Sequence, residues 1–374
     1  MAKILILLNL LLQSLITFSV LDPKKFDKLI IWYFSGTGNA SQVARWIIEY
    51  AESKNIKTQL INIAKHEQST NIEITKKTII GFCYPTHGFN APPIILKFIT
   101  RFPRAVHGNK FFVLNTRAGM KISKLFAPGL SGLALLLPAL MMIIKGYKLF
   151  GYRSIDLPSN WISIHPGLKE KVVFSIFVRC KRITLNFSRK ILSGKKIFRG
   201  LWELPVDLAI SPVSMGYYFF GRFMLSKTFI ATNACNQCWI CVENCPVNAI
   251  KIIDDKPYWT YRCESCMQCM NNCKQRAIET PHGLVIPIWW FALSILPLII
   301  LKFISNYTNA ENLTKGLIYY ILYIILSFSL VFGSYKIVHK LMKFKFFNKI
   351  IKYTSLTTYR FWRRYKAPKN VNKT

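Results

Sequence analysis

Eight of the ten cysteines in this 374-residue chain lie between positions 235 and 273, in two runs of identical spacing. Each run reads C-x2-C-x2-C-x3-C. A tight loop of this kind offers three thiolates to three corners of a cubic iron–sulfur cluster, and the fourth corner needs a ligand from elsewhere. Structural zinc and disulfides are the alternatives, and the repeated register favours clusters. Thiolate ligands also imply a reducing compartment. The cysteines are Cys235, Cys238, Cys241 and Cys245 in the first run, and Cys263, Cys266, Cys269 and Cys273 in the second.

This region resembles the two-cluster bacterial ferredoxins over about 50 residues, including PVNAI after the first run and QRAIE after the second. The resemblance implies that Cys235, Cys238, Cys241 and Cys273 hold one [4Fe–4S] cluster, and that Cys263, Cys266, Cys269 and Cys245 hold another. One departure is Lys274, which stands where proline is usual in that family. We expect its positive charge to raise the reduction potential of the neighbouring cluster slightly. Cys83 and Cys180 fall outside the pattern and are assigned no role.

A second candidate site is a loop of small residues between an apolar strand and a helix. Such a loop lets the backbone wrap around a phosphate, and the amides at the helix N-terminus stabilise its charge. The stretch GTGNAS nearly fits G-x-G-x-x-G but ends in Ser41, and it lacks the G-K-[ST] of a Walker loop. The candidate residues are Ser35, Gly36, Thr37, Gly38, Asn39 and Ala40.

This loop resembles the flavodoxin phosphate loop, S/T-x-T-G-N-T, with Ala40 in place of the last hydroxyl residue. The resemblance covers roughly 28–165 and implies FMN, with its phosphate at 35–40 and its isoalloxazine ring between two later loops. A flavodoxin-like fold without flavin is the alternative. His87 is either an acid or base near the flavin or a ring contact, Arg117 is either a cation near the ring or a solvated charge, and Asn160 is expected to line the same crevice. The later loops contribute Tyr84, Pro85, Thr86, His87 and Gly88, and Thr116, Arg117, Ala118 and Gly119.

Short apolar runs alternate with longer helical patterns from position 28 onward, which indicates βαβ units and a parallel sheet. We therefore predict an α/β flavodoxin-like doubly wound parallel sheet followed by a small α+β ferredoxin-like domain. The apolar run 130–144 is interpreted as a buried crossover helix. The predicted strands are 28–34, 57–63, 77–83, 110–115 and 148–156, and the predicted helices are 41–53, 92–101, 129–146 and 169–192.

Three further apolar runs, 4–21, 284–304 and 316–333, are long enough to be membrane segments. The first is interpreted as a signal anchor, a cleaved signal peptide or an interfacial helix, and the other two as a transmembrane helical hairpin. The positive-inside rule places the basic tail and the cofactor domains in the cytoplasm.

The formal net charge of +35 favours anionic partners. Ten basic residues and one acid lie in 169–199, and twelve basic residues and no acid lie in 334–374. We expect the partners to be membrane lipid and an acidic redox partner protein. The alternative is a lysine-rich composition whose charged faces are simply solvated. Nucleic acid is not expected, because the longest basic tail directly follows an apolar run.

The predicted function is that of a membrane-attached electron-transfer flavoprotein. A flavin reductase of a small substrate or quinone and a non-catalytic redox sensor are the alternatives, so enzyme status stays open. The chain has no evident Rossmann motif for NAD(P). The predicted segments are an apolar N-terminal segment (1–24), the FMN domain (25–200), a connector (201–230), the ferredoxin-like domain (231–282), the transmembrane hairpin (283–335) and a basic tail (336–374).

Overall fold

The computed structural model describes residues 26–65, 73–308, 317–365 and 367–368, and the chain divides into two compact units. The first unit consists of the chain up to Trp161, Gly167–Gly221 and the residues from Tyr365 onward. The second consists of Ile162–Pro166 and Arg222–Arg364. The apolar run 4–21 and the predicted segment 1–24 lie outside the described residues.

The first unit is built on a five-stranded parallel sheet. Its strands are β1 (Lys28–Tyr33), β2 (Lys57–Asn62), β3 (Thr78–Pro85), β4 (Lys110–Ala118) and β7 (Lys148–Leu157), in the order β2-β1-β3-β4-β7. A short hairpin, β5 (Met120–Ile122) and β6 (Leu125–Ala127), follows β4. All eight residues of the central strand β3 are buried, because helices cover both faces of a parallel sheet. This strand order defines the flavodoxin-like fold and confirms the predicted sheet.

Four long helices cover the sheet: α1 (Asn39–Glu52), α2 (Pro93–Arg101), α3 (Leu133–Ile144) and α4 (Glu170–Leu192). Helix α1 packs beside α4, and α2 packs beside α3, which gives one helical layer on each face. Helix α3 buries most of its side chains despite containing Pro138, as predicted for a crossover helix.

The segment interpreted as a connector, 201–230, is largely helical. It contains most of a 3-10 helix (Arg199–Glu203), then α5 (Leu204–Ala209), α6 (Ser211–Gly216), a π-helical turn (Tyr217–Gly221) and α7 (Arg222–Ser226). Prolines stand in the first turns of α5 and α6, where a missing backbone N–H breaks no helical hydrogen bond. These elements are too short to give the sequence a recognisable helical period.

The second unit begins with two small antiparallel strand pairs. Strand β8 (Ile230–Ala231) pairs with β11 (Ile278–Glu279), and β9 (Ile250–Ile253) pairs with β10 (Lys256–Trp259). Single-turn helices α8 (Ile240–Glu243) and α9 (Gln268–Asn272) lie within the two cysteine runs. This arrangement confirms the small α+β domain that the sequence predicts.

Two long apolar helices complete the second unit. The first runs through α10 (His282–Trp290), a π-helical turn (Phe291–Ile295) and α11 (Leu296–Thr308), and the second is α12 (Leu317–Leu341). The ranges His282–Phe303 and Ile318–Leu341 are long and apolar enough to cross a bilayer, and only 17% of each apolar window is buried within the protein. A short helix, α13 (Lys345–Tyr353), follows.

Candidate functional site

The glycine loop connects the carboxyl end of β1 to the amino end of α1. Gly38 is the N-cap residue of that helix and has a φ of 105°, in the left-handed region that favours glycine. Its amide donates a hydrogen bond of 3.1 Å to Ser35 Oγ, which closes the loop on itself. Because glycine has no side chain that could cap the helix, the amides of the first turn are suited to an anion.

The hydroxyl groups of the loop differ in how they are bonded. Thr37 Oγ1 accepts a hydrogen bond of 2.7 Å from Asn160 Nδ2, so Asn160 does lie at this loop. Ser41 Oγ donates to the Gly38 carbonyl at 2.9 Å and therefore uses its proton inside the loop. Ala40 is fully buried. The flavodoxin pattern has a hydroxyl residue where this chain has Ala40. Ser41 does not replace it as a hydrogen-bond donor to a phosphate, because its proton is already bound to the Gly38 carbonyl.

Residues near the C-terminus lie directly on the glycine loop. The Tyr365 hydroxyl donates a hydrogen bond to Asn39 Oδ1, and Asn39 Nδ2 in turn donates to the Pro158 carbonyl at 2.9 Å. Tyr365 is buried. A Cβ atom added to Gly38 would lie 2.9 Å from Ala367 Cβ, so the tail passes within van der Waals contact of the loop backbone.

The two predicted ring loops lie side by side at the carboxyl ends of β3 and β4. Tyr84 and Pro85 are the last residues of β3, and the Tyr84 hydroxyl donates to the Ala134 carbonyl at 3.0 Å within the core. The Thr86 amide donates to the Thr116 carbonyl at 2.8 Å and ties one loop to the other. The structure therefore brings the predicted loop residues together, although Tyr84 itself is a core residue.

An aromatic ring already lies against the first of these loops. Gly88 has a φ of 53°, and a Cβ atom added to it would lie 2.0 Å from Cγ of Tyr217. The Tyr217 ring also packs on Trp161 at 5.5 Å between ring centroids, and Trp161 lies 6.3 Å from the ring of the buried His87. The backbone at Gly88 thus has room for a planar ring beside it. An isoalloxazine is also a planar ring and would occupy the same place.

Arg117 lies in a buried ion-pair network. Its Nε contacts Asp156 Oδ1 at 2.6 Å, and its two Nη atoms donate to the Glu203 carboxylate at 2.6 and 2.8 Å. Burial acts to lower the pKa of Arg117, but the hydrogen bonds to Glu203 and Asp156 outweigh it and raise that pKa. Ala118 is exposed, and Gly119 packs so closely on β7 that a Cβ atom would lie 2.4 Å from the Asp156 carbonyl. The charge of Arg117 is therefore compensated within the chain.

Helices α5 and α6, in the segment that the sequence predicts to be a connector, form hydrogen bonds with the loops around Phe89 and Ser131. Asp207 Oδ1 accepts hydrogen bonds from the amides of Ser131 (3.2 Å) and Gly132 (2.8 Å), and Ser214 Oγ donates to the Phe89 carbonyl (2.7 Å). Burial raises the pKa of Asp207, while the two amide bonds oppose that rise. Sequence reasoning missed these contacts because the segment shows no period and the partners lie far apart along the chain.

The two cysteine runs of the second unit have the same backbone conformation. The amide of Ala249 donates to Cys245 Sγ at 3.2 Å, and the amide of Ala277 donates to Cys273 Sγ at 3.3 Å. Bonds of this kind stabilise a thiolate. Left-handed residues also fall at three matching positions: Gln237 and Ser265, Trp239 and Met267, and Asn248 and Arg276. The second run is thus a structural repeat of the first.

The eight cysteines gather into two sets of four. Burial, the largest cause, and the nearby Cys235, Cys273 and Cys238 together raise the pKa of Cys241 to about 11. Cys269 has the equivalent surroundings in the other set: burial raises its pKa well above the usual value, and Cys263, Cys266 and Cys245 add to the rise.

This division equals the ligand sets that the ferredoxin resemblance implies. Among the described residues, no three His, Cys, Asp or Glu side chains are close enough to hold a single metal ion. A cubic cluster needs wider spacing, because its ligands attach to different corners. The two sets of four cysteines are compatible with ligands that attach to different corners of a cluster.

One buried cation lies beside the second cysteine set, and sequence reasoning missed it. Lys227 is 4% exposed, and its Nζ donates to the Trp259 carbonyl. Its ammonium lies over the rings of Tyr258 (5.1 Å), Tyr261 (4.5 Å) and Tyr335 (4.7 Å). Burial lowers the pKa of Lys227 to about 8, and the nearby Cys263 opposes that change.

A known protein-family model matches part of the second unit. Residues 229–251 match the family model described as "4Fe-4S binding domain", which includes the first cysteine run and not the second. No curated protein matches the chain. Residues 229–251 thus form a [4Fe–4S] ferredoxin-type domain.

Solved flavodoxins align with the chain at low identity. Oxidised flavodoxin 1 from Bacillus cereus is 16% identical, with 43% of this chain and 97% of that chain covered and a TM-score of 0.29. A flavodoxin from the domain Archaea is 17% identical, with 44% and 98% covered and a TM-score of 0.26. General stress protein 14 from Treponema denticola, solved in complex with FMN, is 12% identical, with 44% and 99% covered and a TM-score of 0.29.

The strand order itself defines the fold of the first unit as flavodoxin-like. The chain thus combines a flavodoxin-like α/β unit with a [4Fe–4S] ferredoxin-type domain.

Proposed function

We propose that this protein is a membrane-attached electron-transfer flavoprotein that carries one FMN and two [4Fe–4S] clusters. The observation that carries the proposal is the structural repeat of the cysteine loop. Matching left-handed positions and matching N–H···S bonds recur in both runs, and each set of four thiols combines three cysteines of one run with the last cysteine of the other. A loop that merely resembled a cluster site by chance would not repeat in this way.

The FMN assignment is supported by the loops at the carboxyl ends of neighbouring parallel strands, where flavodoxin-like folds bind their ligands. Ser35, Thr37 and the first-turn amides of α1 would hold the phosphate, and the backbone around Gly88 and Thr116 would hold the ring. Bound FMN exchanges electrons singly or in pairs, which would couple one-electron clusters to a two-electron partner. The chain's own part is to hold the centres and to tune their surroundings.

One observation favours the non-catalytic redox sensor as a second candidate. Tyr217 covers Gly88, and Tyr365 and Ala367 cover the glycine loop. A chain that had lost its flavin could fill the crevice with its own side chains in this way. Quantifying flavin separates this candidate from the electron carrier.

We expect protein purified anaerobically in detergent to contain about eight iron atoms and about one FMN per chain. Cys238→Ser and Cys266→Ser each remove a ligand from a different set, so each variant should lose one cluster and keep about four irons. Iron and flavin are measured after acid release, and electron paramagnetic resonance of the reduced protein identifies the remaining cluster. Cys83→Ser is the control, because this core cysteine lies outside both sets. About four irons in the unmodified protein would contradict the two-cluster proposal.

Membrane attachment is supported by the two apolar helices and by helix α13, which has three distinct faces. Asn348 and Ile351 are buried within the second unit, whereas Phe346, Ile350 and Tyr353 are exposed on the opposite side. Three lysines, Lys345, Lys349 and Lys352, lie along the edge between these faces. A helix with an exposed apolar face and lysines beside it is suited to the surface of an anionic bilayer.

We therefore propose that α13 lies in the interface of the leaflet next to the end of α12, and that this leaflet faces the cytoplasm. Hydrogen exchange of peptides covering 344–353 should slow in nanodiscs that contain phosphatidylglycerol, relative to phosphatidylcholine nanodiscs. The Phe346→Glu, Ile350→Glu variant should lose most of this protection. Equal exchange in both lipids and in both proteins would contradict an interfacial position for α13.

A further inference from the structure

A cavity of 430 Å³ lies in the first unit on the side of the edge strand β7. Four arginines line it: Arg153, Arg179, Arg182 and Arg199. Two neighbouring cavities, of 510 and 590 Å³, also include Arg153 in their walls. None of these arginines belongs to the glycine loop or to the two ring loops, so the flavin assignment leaves the cavity unexplained.

Three elements bring the four arginines together. Arg153 stands on β7, and Arg179 and Arg182 stand three residues apart on α4, which places them on the same face of that helix. Arg199 begins the 3-10 helix that follows Ile197, whose backbone pairs with β7 through the Tyr152 amide at 2.8 Å. This pairing fixes Arg199 beside the sheet edge, next to residues that are distant in sequence.

The carboxylates of the cavity do not neutralise these four guanidinium groups. Asp156 and Glu203 also line the cavity, but both are bound to the buried Arg117. Among the described residues, no ion pair includes Arg153, Arg179, Arg182 or Arg199. The cavity wall thus contains four guanidinium groups and only two carboxylates, and both of these carboxylates already form ion pairs with Arg117.

Arg153 is the most constrained of the four. Its Nε is buried and has no hydrogen-bond partner among the described residues. Burial lowers the pKa of Arg153 and the positive charge of Arg199 lowers it further, although Asp156 and Glu203 partly oppose these two effects. A buried donor without an acceptor and two like charges held together are both unfavourable, and a bound anion would relieve both.

The remaining wall is mostly apolar and orients one of the guanidinium groups. The Arg179 guanidinium lies 4.5 Å from the centre of the Phe126 ring, and Pro128, Ile155 and Ile183 add further apolar surface to a wall that also includes Ser154 and Gly200. Stacking on a ring holds the planar guanidinium in a fixed direction, from which it can donate two parallel hydrogen bonds. Arginine is better suited than lysine to such paired recognition of phosphate.

We propose that this cavity binds an anion carrying two or more phosphate groups. Four guanidinium groups that form no ion pair among the described residues supply more positive charge than one phosphate needs, and the adjoining cavities add the basic Arg189, Lys190 and Lys195. The source of the phosphates is either a small soluble organophosphate or the headgroups of anionic phospholipid. Both present the same chemistry to the four guanidinium groups.

The test uses the full chain, with pyrophosphate and ATP as soluble probes in detergent and with phosphatidylglycerol nanodiscs as the lipid probe. Binding of the soluble probes is measured by titration calorimetry, and contact with lipid is measured by hydrogen exchange over 179–199. Binding of pyrophosphate or ATP assigns the site to a soluble organophosphate. Protection of 179–199 only in phosphatidylglycerol, and not in phosphatidylcholine, assigns it to lipid headgroups.

Variants distinguish this cavity from the general basic character of the chain. Arg182→Gln and Arg199→Gln should each weaken binding about tenfold, whereas Arg104→Gln, at an exposed position in the same unit, should leave it unchanged. Without the anion, Arg199→Gln should melt at the same or a higher temperature, because it removes a like charge from beside Arg153. Arg182→Lys keeps the charge and should lose part of the affinity. The proposal is overturned if neither the soluble probes nor lipid binds, or if the Arg182→Gln, Arg199→Gln double variant binds as the unmodified protein does.

Discussion

Tyr217→Ala is expected to tighten FMN binding about tenfold, since it removes a ring from the place where the isoalloxazine would lie. The Tyr217 ring fills the space in front of Gly88 and packs on Trp161 at 5.5 Å. In the unmodified chain, flavin has to displace this ring before its own ring can reach the backbone of the loop. The work of displacement lowers the apparent affinity, because only the fraction of molecules with an open crevice can bind.

The same reasoning applies to the phosphate end of the crevice. Tyr365 and Ala367 lie on the glycine loop, so removal of residues 365–374 should also tighten FMN binding. Tyr217→Ala acts on the ring end and the truncation acts on the phosphate end. If the two ends open independently, the two gains in binding free energy should add.

Fluorescence titration of deflavinated protein with FMN measures both effects. Riboflavin, which has no phosphate, provides an internal comparison: it should respond to Tyr217→Ala and not to the truncation. Tyr218→Ala is the matched control, since Tyr218 lies in the same π-helical turn and packs on Phe219 at 5.3 Å. Weaker FMN binding by Tyr217→Ala would mean instead that Tyr217 stacks on the flavin and belongs to its site.

Much of the first unit could be predicted because its signals are local. The runs KLIIWY and TIIGFCYP are apolar enough to be buried strands, and the small residues between β1 and α1 mark the turn that follows. The ends of the five predicted strands and four predicted helices agree with the observed ends to within two residues, apart from those of β4 and α3. Strand β4 continues to Ala118, three residues beyond the predicted end, and α3 begins at Leu133, four residues after its predicted start.

The contacts of residues 199–221 could not be predicted because they depend on tertiary structure. Asp207 and Glu203 stand among prolines and aromatic residues with no recognisable period, and their partners lie about 70 or more residues away. The environment of Arg117 illustrates the consequence. From the sequence, a loop arginine beside a predicted flavin is interpreted either as a cation near the ring or as a solvated charge. In the structure, the buried Arg117 forms ion pairs with Asp156 and Glu203.

The cysteine runs could be recognised for the opposite reason. The C-x2-C-x2-C-x3-C spacing is itself typical of cluster ligands, so the sequence predicts the chemistry directly. Lys227 carries no such signal, because its surroundings come from Tyr258, Tyr261 and Tyr335, which are brought together only by folding. The same holds for Arg153 and Arg199, which meet Arg182 only in the folded unit.

Lys227→Met is expected to lower the reduction potential of the cluster that we propose is held by Cys263, Cys266, Cys269 and Cys245. Reduction adds a negative charge to the cluster, so a neighbouring cation favours the reduced form. At an effective dielectric constant of about 20, a unit charge contributes about 4 kcal/mol at a separation of about 4 Å, which falls to about 2 kcal/mol at twice that separation. For a one-electron couple, this corresponds to a shift on the order of 50–100 mV.

Burial makes the charge of Lys227 more effective than that of Lys274. Lys274 directly follows Cys273, a proposed cluster ligand, but is exposed, so water and salt screen its charge. Lys274→Met should therefore shift the potential of its cluster by much less than Lys227→Met shifts the other. Lys227→Arg preserves the charge and should keep the potential close to that of the unmodified protein, provided that the tyrosine cage accepts the larger side chain.

A redox titration followed by electron paramagnetic resonance separates these expectations, because it reports each cluster potential at unchanged iron content. A shift in Lys227→Met and not in Lys227→Arg identifies charge as the cause, whereas equal shifts in both identify packing of the cage. Raising the ionic strength adds a second criterion: it should reduce the small effect of Lys274 and leave the effect of the buried Lys227 in place. If Lys227→Met retains both clusters at their original potentials, the ammonium is too distant or too well neutralised to act on the cluster. Its contacts with the three tyrosines and the Trp259 carbonyl would then serve the fold of the second unit alone.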